Sequence, residues 1–213
     1  MLYRLLASAD VFVTNFPLPV RERLKITTAD VLSLNPRLIY ASLTAYGERG
    51  EEAARTGFDS TAYWARTGLM DMVRASETTD PARSVPGMGD HPSARALYAA
   101  IITALYRREK TGKGGVAQSS LLQNGTWANA CLIQSRLFGE PMPLRPPRQE
   151  APNPLANHYR CRDGRWFLMA LFNEQRQLRG FLEAIGRALC HERGAPGKLH
   201  RVRGDPGRDY RPA

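Results

Sequence analysis

The stretch ADVFVTNFPLPVRERLKITTADVLSLNPRLIYASLTAYG, residues 9–47, decides the fold. Its first part, Asp10–Phe16, alternates and contains several β-branched residues, which predicts a strand that ends near Asn15. Its last part, Arg37–Gly47, is an apolar run of strand length that a glycine stops. The stretch therefore begins and ends with a predicted strand.

The segment between these strands, TTADVLSLNP, predicts a short helix. Thr27 or Thr28 is expected at its N-cap, and Pro36 lies just beyond its end. A strand, a helix and a second strand in so short a stretch predict a βαβ unit. The fold class is therefore α/β, with a parallel sheet and helices packed on it.

The following residues extend this pattern. We expect helices at Thr61–Val73 and Leu122–Gly139, and a strand in GVAQSSLL, residues 115–122. Residues 74–92 read as a long loop, and Ala94–Lys110 predicts a helix. Two apolar stripes with a spacing of four predict that this helix is buried on a wide face: Leu97, Ile101 and Leu105, and Tyr98, Ile102 and Tyr106.

Composition predicts the domain boundaries. Residues 1–140 form part of a large α/β domain, and residues 141–154 are a linker by their prolines. Residues 155–186 begin a smaller α+β domain, with a hairpin that turns at Asp163–Gly164 and a helix packed on it. Residues 187–213 lack apolar periodicity and predict a disordered basic tail.

The charge leaves two classes of protein open. The chain has 213 residues and a net charge of +10, and the tail holds seven Lys and Arg against three Asp and Glu. A non-enzymatic protein whose tail binds nucleic acid would show this charge, but the tail lacks interleaved aromatic residues apart from Tyr210. We find neither a signal peptide nor a membrane span, and three sparse cysteines favour a reduced, cytoplasmic protein.

Asp90 stands in PGMGDHPSAR, between a glycine turn and the predicted start of a helix at Ser93 or Ala94. It could cap that helix or favour its dipole. A carboxylate there would also keep a low pKa and stay ionised on an exposed turn, ready to attack an activated acyl group. Asp59, in TGFDS, is a second candidate carboxylate, for which an Asx-turn is the simpler interpretation.

Other chemistries lack their motifs. Neither TGKGG nor PGMGDHP completes a phosphate-binding fingerprint, and no Gly-x-Ser-x-Gly elbow is present. His158 and Cys161, with Cys190 and His191, have spacings that do not suit zinc. We therefore expect no metal and no permanently bound cofactor.

Six stretches in the same order and spacing resemble the family III coenzyme A transferases, the formyl-CoA and carnitine-CoA transferase family. They are ADVFVTNF with VRERL, LNPRLIYASLTAYG, GFDSTAYWARTGLM, Gly89-Asp90, REKTGKGGVAQSSLL and YRCRDGRWF. The resemblance implies a Rossmann-like parallel sheet in an interlocked homodimer. It implies transfer of CoA from an acyl-CoA donor to a carboxylic acid.

The resemblance also implies roles for particular residues. The aspartate of the Gly-Asp pair, here Asp90, would attack the acyl-CoA thioester and form covalent intermediates. The residues that match positions of the CoA site are Asn15, Phe16, Pro17, Arg23, Thr56, Gly57, Phe58 and Asp59. The arginines at 23 and 55 would suit the CoA phosphates.

Some residues depart from the family pattern. An acyl-CoA racemase, the alternative within the family, carries histidine where this chain has Phe58, so a transferase is favoured. Thr14, Pro19, Gln118 and Gln123 also replace residues usual in the family, which leaves the acyl specificity open.

The family pattern is also incomplete at both ends. The strand, glycine turn and helix that open the family fold have no match before Met1, and the tail replaces the rest of the small domain. We therefore expect about half of a transferase, with a tail that a frameshift near Arg187 would explain and with impaired activity.

Overall fold

The computed structural model describes residues 1–141, 145–171 and 173–184, which form two units that divide after Ala151. The predicted tail, residues 187–213, lies outside the described residues, as do Cys190 and His191.

A parallel sheet forms the centre of the first unit. Its strands are β1 (Val11–Thr14), β2 (Ile39–Thr44) and β3 (Gly115–Ser120), in the order β1-β2-β3. In the register, Val11 lies beside Ile39, and Ile39 lies beside Gly115. The predicted βαβ unit and the parallel sheet are confirmed.

The helices of the first unit lie before, between and after these strands. They are α1 (Leu2–Leu6), α2 (Leu18–Leu24), α3 (Thr28–Leu34), α4 (Leu69–Met72), α5 (Asp90–Thr111), α6 (Leu121–Ala128) and α7 (Ala130–Leu137). A π-helical segment spans Asp59–Ala65, and a short 3₁₀ turn spans Arg148–Glu150.

The crossover between β1 and β2 contains two helices, of which the sequence predicted α3. Thr27 caps α3: its hydroxyl accepts from the backbone N–H of Asp30 at 3.2 Å, and Asp30 accepts from the backbone N–H of Thr27 at 3.0 Å. The preceding helix, α2, also has seven residues but was not predicted, because it begins after Pro17 without a capping side chain. It ends at Lys25, which adopts a left-handed conformation with φ 53°.

The core lies on both faces of the sheet, because alternate residues of β2 point to opposite sides. On one face, Tyr40 packs in a cluster with Leu6, Ile26, Val31 and Leu38, which brings in α1 and α3. On the other face, Ile39 and Ala41 pack with Leu97, Ala104 and Ala117, which brings in α5. A third cluster joins Ala45, Ala62, Tyr63, Trp64 and Leu121.

The prediction of a wide buried face on α5 is wrong for one of the two stripes. Leu97 is buried, but Tyr98, Ile102 and Tyr106 are 66%, 46% and 65% exposed. The reason is geometric, since the sheet covers only one side of α5 and these three residues lie on another side. The α5 stripe, as we call Tyr98, Ile102 and Tyr106, is an exposed apolar surface of the unit.

Two predicted helices are interrupted. In place of one helix over Thr61–Val73, the π-helical segment is followed by Gly68, which has φ +80°, and then by α4. The predicted helix Leu122–Gly139 breaks into α6 and α7 at Asn129. The buried side chain of Asn129 donates to the carbonyl of Thr67 at 2.9 Å, so a tertiary contact replaces helix continuity at this point.

The second unit contains an antiparallel hairpin of β4 (His158–Arg160) and β5 (Trp166–Leu168), and a helix α8 (Glu174–Ala184). The predicted turn is present: Gly164 has φ +86°, and the N–H of Cys161 donates to the carbonyl of Arg165 at 2.7 Å. The sequence therefore predicted the hairpin and its turn correctly.

Candidate active site

The loops that follow β1 and β2 meet at one edge of the sheet, because the carboxyl ends of parallel strands lie together. They enclose a cavity of about 70 Å³. The lining residues are Asn15, Pro17, Thr44, Ala45, Ala53, Arg55, Thr56 and Gly57. Four of the predicted site residues, Asn15, Pro17, Thr56 and Gly57, therefore lie around one cavity.

Hydrogen bonds to the backbone of Phe16 hold the turn after β1. The N–H of Phe16 donates to the hydroxyl of Thr14 at 3.2 Å, and its carbonyl accepts from Nε of Arg21 at 2.6 Å. The side chains of Asn15 and Phe16 are exposed. Arg23 is exposed on α2 and does not line the cavity. The backbone of this turn is thus held from the inside while its side chains face outward.

The segment from Arg55 to Asp59 packs on the end of β2. A Cβ at Gly57 would lie 3.0 Å from Cβ of Ala45 and from Cε2 of Tyr46, so only a glycine fits this approach without displacement. The guanidinium of Arg55 lies over the ring of Tyr46 at 5.3 Å. Arg55, which also pairs with Glu52 at 2.7 Å, thus lies at the rim of the cavity.

Phe58 follows this contact and points outward, with its side chain 75% exposed. Its N–H donates to the hydroxyl of Thr61 at 2.9 Å, which starts the π-helical segment at Asp59. Phe58 does not line the cavity, in contrast to the preceding residues, Thr56 and Gly57.

Asp59 connects this segment to the Gly89-Asp90 pair. Its Oδ2 accepts a long hydrogen bond from the N–H of Gly89 at 3.5 Å. Gly89 itself is buried against Tyr63, because a Cβ there would lie 2.5 Å from Cβ of Tyr63. The two candidate carboxylates therefore lie on neighbouring segments.

Asp90 is the first residue of α5, so the prediction that the helix starts at Ser93 or Ala94 is wrong. Gly89 is the N-cap, and within the described residues no side chain caps α5, which corrects the capping interpretation of Asp90. The helix starts early because a proline is tolerated in the first turn, where Pro92 lies. The carboxylate of Asp90 is exposed at the start of this helix.

The expectation of a low pKa for Asp90 is also corrected. Surrounding protein atoms remove part of the water from the carboxylate, which raises its pKa, and the negative charge of Asp59 raises the pKa further. His91 acts in the opposite direction and offsets part of the effect. Partial burial and the charge of Asp59 therefore affect the pKa of Asp90 in addition to its position at a helix N-terminus.

We expect Asp59→Asn to shift the acid limb of any reaction of the Asp90 carboxylate to lower pH. Removing the charge of Asp59 lowers the pKa of Asp90, so the ionised form persists to lower pH. The amide oxygen of the introduced asparagine can still accept from the N–H of Gly89. The measurement is a pH profile of adduct formation, with Asp59→Glu as a control that keeps the charge. An unchanged limb in Asp59→Asn would contradict the electrostatic coupling.

Two residues near the cavity were missed from the sequence. Arg21, which is only 2% exposed, pairs with Glu48. Arg21 occurs in a short helix of mixed composition, and Glu48 in a polar loop, so neither position carried a sequence signal.

Within residues 1–141, 145–171 and 173–184, no group of three His, Cys, Asp or Glu side chains could hold a metal ion. Cys131 and Cys161 are free and exposed. In the same residues, no helix combines the length and the apolar character needed to cross a membrane.

Residues 1–204 match the sequence model of the family described as CoA-transferase family III. The chain belongs to CoA-transferase family III. The match includes the first part of the segment predicted to be a tail. A solved structure, described as a CAIB/BAIF family protein from Brucella suis, superposes with a TM-score of 0.73 at 26% identity, and the match covers 87% of this chain and 48% of that one.

Two relatives show the range of the family. A (R)-2-hydroxy-4-methylpentanoate CoA-transferase of Clostridioides difficile is 35% identical over 192 residues, 90% of this chain and 47% of that protein. An alpha-methylacyl-CoA racemase of Mus musculus is 28% identical over 141 residues, 65% of this chain and 36% of that protein. The chain thus spans less than half of the length of each of these relatives.

Proposed function

We propose that the protein transfers coenzyme A from an acyl-CoA donor to a carboxylic acid, with Asp90 as the covalent nucleophile. One observation carries this proposal: Asp90 is an exposed carboxylate, and Asp59, on the segment that leaves the strand-end cavity, contacts the residue before it. Membership of CoA-transferase family III supports the reaction class.

The proposed reaction conserves the thioester through two exchanges. An oxygen of the Asp90 carboxylate attacks the thioester carbon, the carbon–sulfur bond breaks, and a mixed anhydride and CoA thiolate form. The thiolate then attacks the Asp90 carbonyl carbon, which releases the donor acid and leaves an aspartyl-CoA thioester. The acceptor carboxylate repeats both steps in reverse order, so that Asp90 is regenerated and the acceptor leaves as its CoA thioester.

The residues around the cavity would bind the CoA part of the substrate. We assign this role to Asn15, Phe16, Pro17, Arg23, Thr56, Gly57, Phe58 and Asp59. The exposed guanidinium groups of Arg23 and Arg55 would pair with the CoA phosphates. CoA enters and leaves as a substrate, and we propose no permanently bound cofactor.

We also propose that the protein forms a homodimer and is cytoplasmic. The α5 stripe presents an exposed apolar surface, which supports assembly into the homodimer that the resemblance implies. The free cysteines of the described residues, Cys131 and Cys161, suit the predicted cytoplasmic location.

Racemisation of an acyl-CoA is the second candidate, because the mouse relative is a racemase. It requires a group that exchanges a proton at the α carbon. Phe58 has no ionisable group at the position where the resemblance places the racemase histidine. This residue favours transfer over racemisation.

The two candidates are distinguished in one reaction. The protein, expressed as its gene encodes it, is incubated in D₂O with a 2-methylacyl-CoA and ¹³C-labelled carboxylic acids, and the thioesters are analysed by mass spectrometry. We expect ¹³C-labelled acyl-CoA without deuterium at the α carbon. Deuterium at that carbon without labelled acyl-CoA would support the racemase and overturn the transferase.

A further inference from the structure

A buried arginine lies beneath the turn after β1. Arg21 is 2% exposed, although arginine is rarely buried unless it is paired. Its Nε donates to the carbonyl of Phe16 at 2.6 Å, and its guanidinium lies 6.0 Å from the centroid of the Tyr40 ring. The charged group therefore contacts the backbone of the turn from the inner side.

Glu48 fixes this arginine to the sheet. Its carboxylate forms an ion pair with Nη1 of Arg21 and accepts from the hydroxyl of Ser42 at 2.6 Å. It also accepts from the side-chain amide of Gln118 at 2.5 Å. Because Ser42 lies on β2 and Gln118 lies beside it on β3, one carboxylate joins two strands to α2.

The same pair joins the two loops that line the cavity. Arg21 holds the loop after β1 through Phe16, and Glu48 belongs to the loop after β2 that leads to Thr56 and Gly57. The two loops approach the cavity from different strands, so their relative position depends on contacts between them. The Arg21–Glu48 pair is such a contact.

We propose that Arg21, held by Glu48, is a positioning residue that keeps the Asn15–Pro17 turn in the conformation that binds coenzyme A. This inference rests on the proposed function for its ligand. The arginine does not touch the cavity itself; it acts through the Phe16 carbonyl. A planar fork with donors in fixed directions suits this task, because one guanidinium serves the carbonyl and the carboxylate together.

Stability alone is a weak explanation for this pair. Burying two charges costs free energy that their attraction often fails to recover. Within the described residues, Nη2 of Arg21 is also buried without a hydrogen-bond partner, which adds to the cost. A contact that costs free energy, at the junction of the two loops, is better explained by the geometry that it imposes on them.

The test uses Arg21→Lys in the protein as its gene encodes it. Lysine retains the charge and the pairing with Glu48, but its single ammonium cannot also reproduce the bond from Nε to Phe16. We expect the Kd for CoA, measured by calorimetry, to rise about tenfold, which is the loss of roughly one hydrogen bond from a charged donor. The KM for acyl-CoA should rise similarly while kcat stays within about twofold, because binding and not the reacting group is affected.

A second readout does not depend on CoA. Hydrogen exchange followed by mass spectrometry should show faster exchange in residues 14–20 of Arg21→Lys, since the turn loses the hydrogen bond to the carbonyl of Phe16. Glu48→Gln, which keeps the shape of the carboxylate, should weaken CoA binding about threefold, between wild type and Arg21→Lys. This milder variant keeps the test valid if the lysine variant does not fold.

Arg108→Lys is the matched control. Arg108 is also buried, pairs with Asp10 at 2.9 Å and donates to the carbonyl of Arg37 at 3.3 Å, but these residues lie at the amino ends of β1 and β2. We expect a smaller loss of stability, because the Asp10 carboxylate is 79% exposed, and an unchanged Kd for CoA. Equal weakening of CoA binding in both variants would show a general effect of destabilisation and overturn the proposal.

The outcomes distinguish the positioning role of Arg21 from the proposed function in CoA transfer. If the wild type binds no CoA, the proposed function fails and the positioning role falls with it. If the wild type binds CoA and folded Arg21→Lys binds equally well, only the positioning role is overturned. Weaker binding with faster exchange in the turn, absent in Arg108→Lys, supports it.

Discussion

Asp90→Asn is expected to lower the rate of CoA transfer by at least about 10³-fold, because the neutral amide cannot form the anhydride. The loss should appear in chemistry and not in folding. Asp90 is exposed, and within the described residues its side chain does not cap α5, so asparagine fits the same position. The Kd for CoA should stay close to the wild-type value.

The measurement traps the acyl group on the carboxylate. Wild-type protein is incubated with acyl-CoA and hydroxylamine, and the peptide that carries a hydroxamate is mapped by mass spectrometry. We expect the label at Asp90 in the wild type and no label in Asp90→Asn. Asp163→Asn, which changes an exposed aspartate in the β4–β5 hairpin, is the control that should keep the label. A full yield of adduct in Asp90→Asn would exclude Asp90 as the nucleophile.

Gly89→Ala should be the second large effect. A Cβ at this position would lie 2.5 Å from Cβ and Cγ of Tyr63 and 2.9 Å from Cβ of Asp59. The φ angle of −97° is open to alanine, so the effect is steric and not conformational. Relief of the overlap must move the turn or Tyr63, at a cost of about 1–3 kcal/mol in stability. A displacement of Asp90 by about 1 Å would lower the transfer rate about 10²-fold.

Gly125→Ala separates displacement of Asp90 from loss of stability. Its added Cβ would lie 2.5 Å from the carbonyl oxygen of Tyr63 and 2.8 Å from Cγ2 of Thr67, so it presses on the same segment from α6. Thermal unfolding should show a similar destabilisation of both variants. The transfer rate should fall about 10²-fold only in Gly89→Ala. A rate in Gly89→Ala equal to that of Gly125→Ala would contradict a positional requirement at residue 89.

The sequence predicted the parts of the fold that local rules determine. Of the strands around α3, the first follows from an alternating pattern and the second from an apolar run of strand length, and the cap at Thr27 follows from its hydroxyl and Asp30. The turn at Gly164 follows from the need for a positive φ angle. In each case the deciding residues lie within a few positions of one another.

The errors arose where distant segments decide. The pKa of Asp90 depends on the charge of Asp59, which lies some thirty residues earlier in the chain. The exposure of the α5 stripe depends on how far the sheet extends over the helix. Only the family resemblance predicted that the candidate site residues 15, 17, 56 and 57 belong to one site.

The turn after β1 has a further consequence for how this site tolerates mutation. Its backbone is held from below by Arg21 and Thr14, while the side chains of Asn15 and Phe16 point away from these anchors. Arg21 and Thr14 therefore determine the course of the backbone, whereas Asn15 and Phe16 supply the exposed side chains. Substitutions at 15 or 16 should therefore change the outward surface of the turn without altering its course, so the proposed contacts to coenzyme A can vary while the fold is kept.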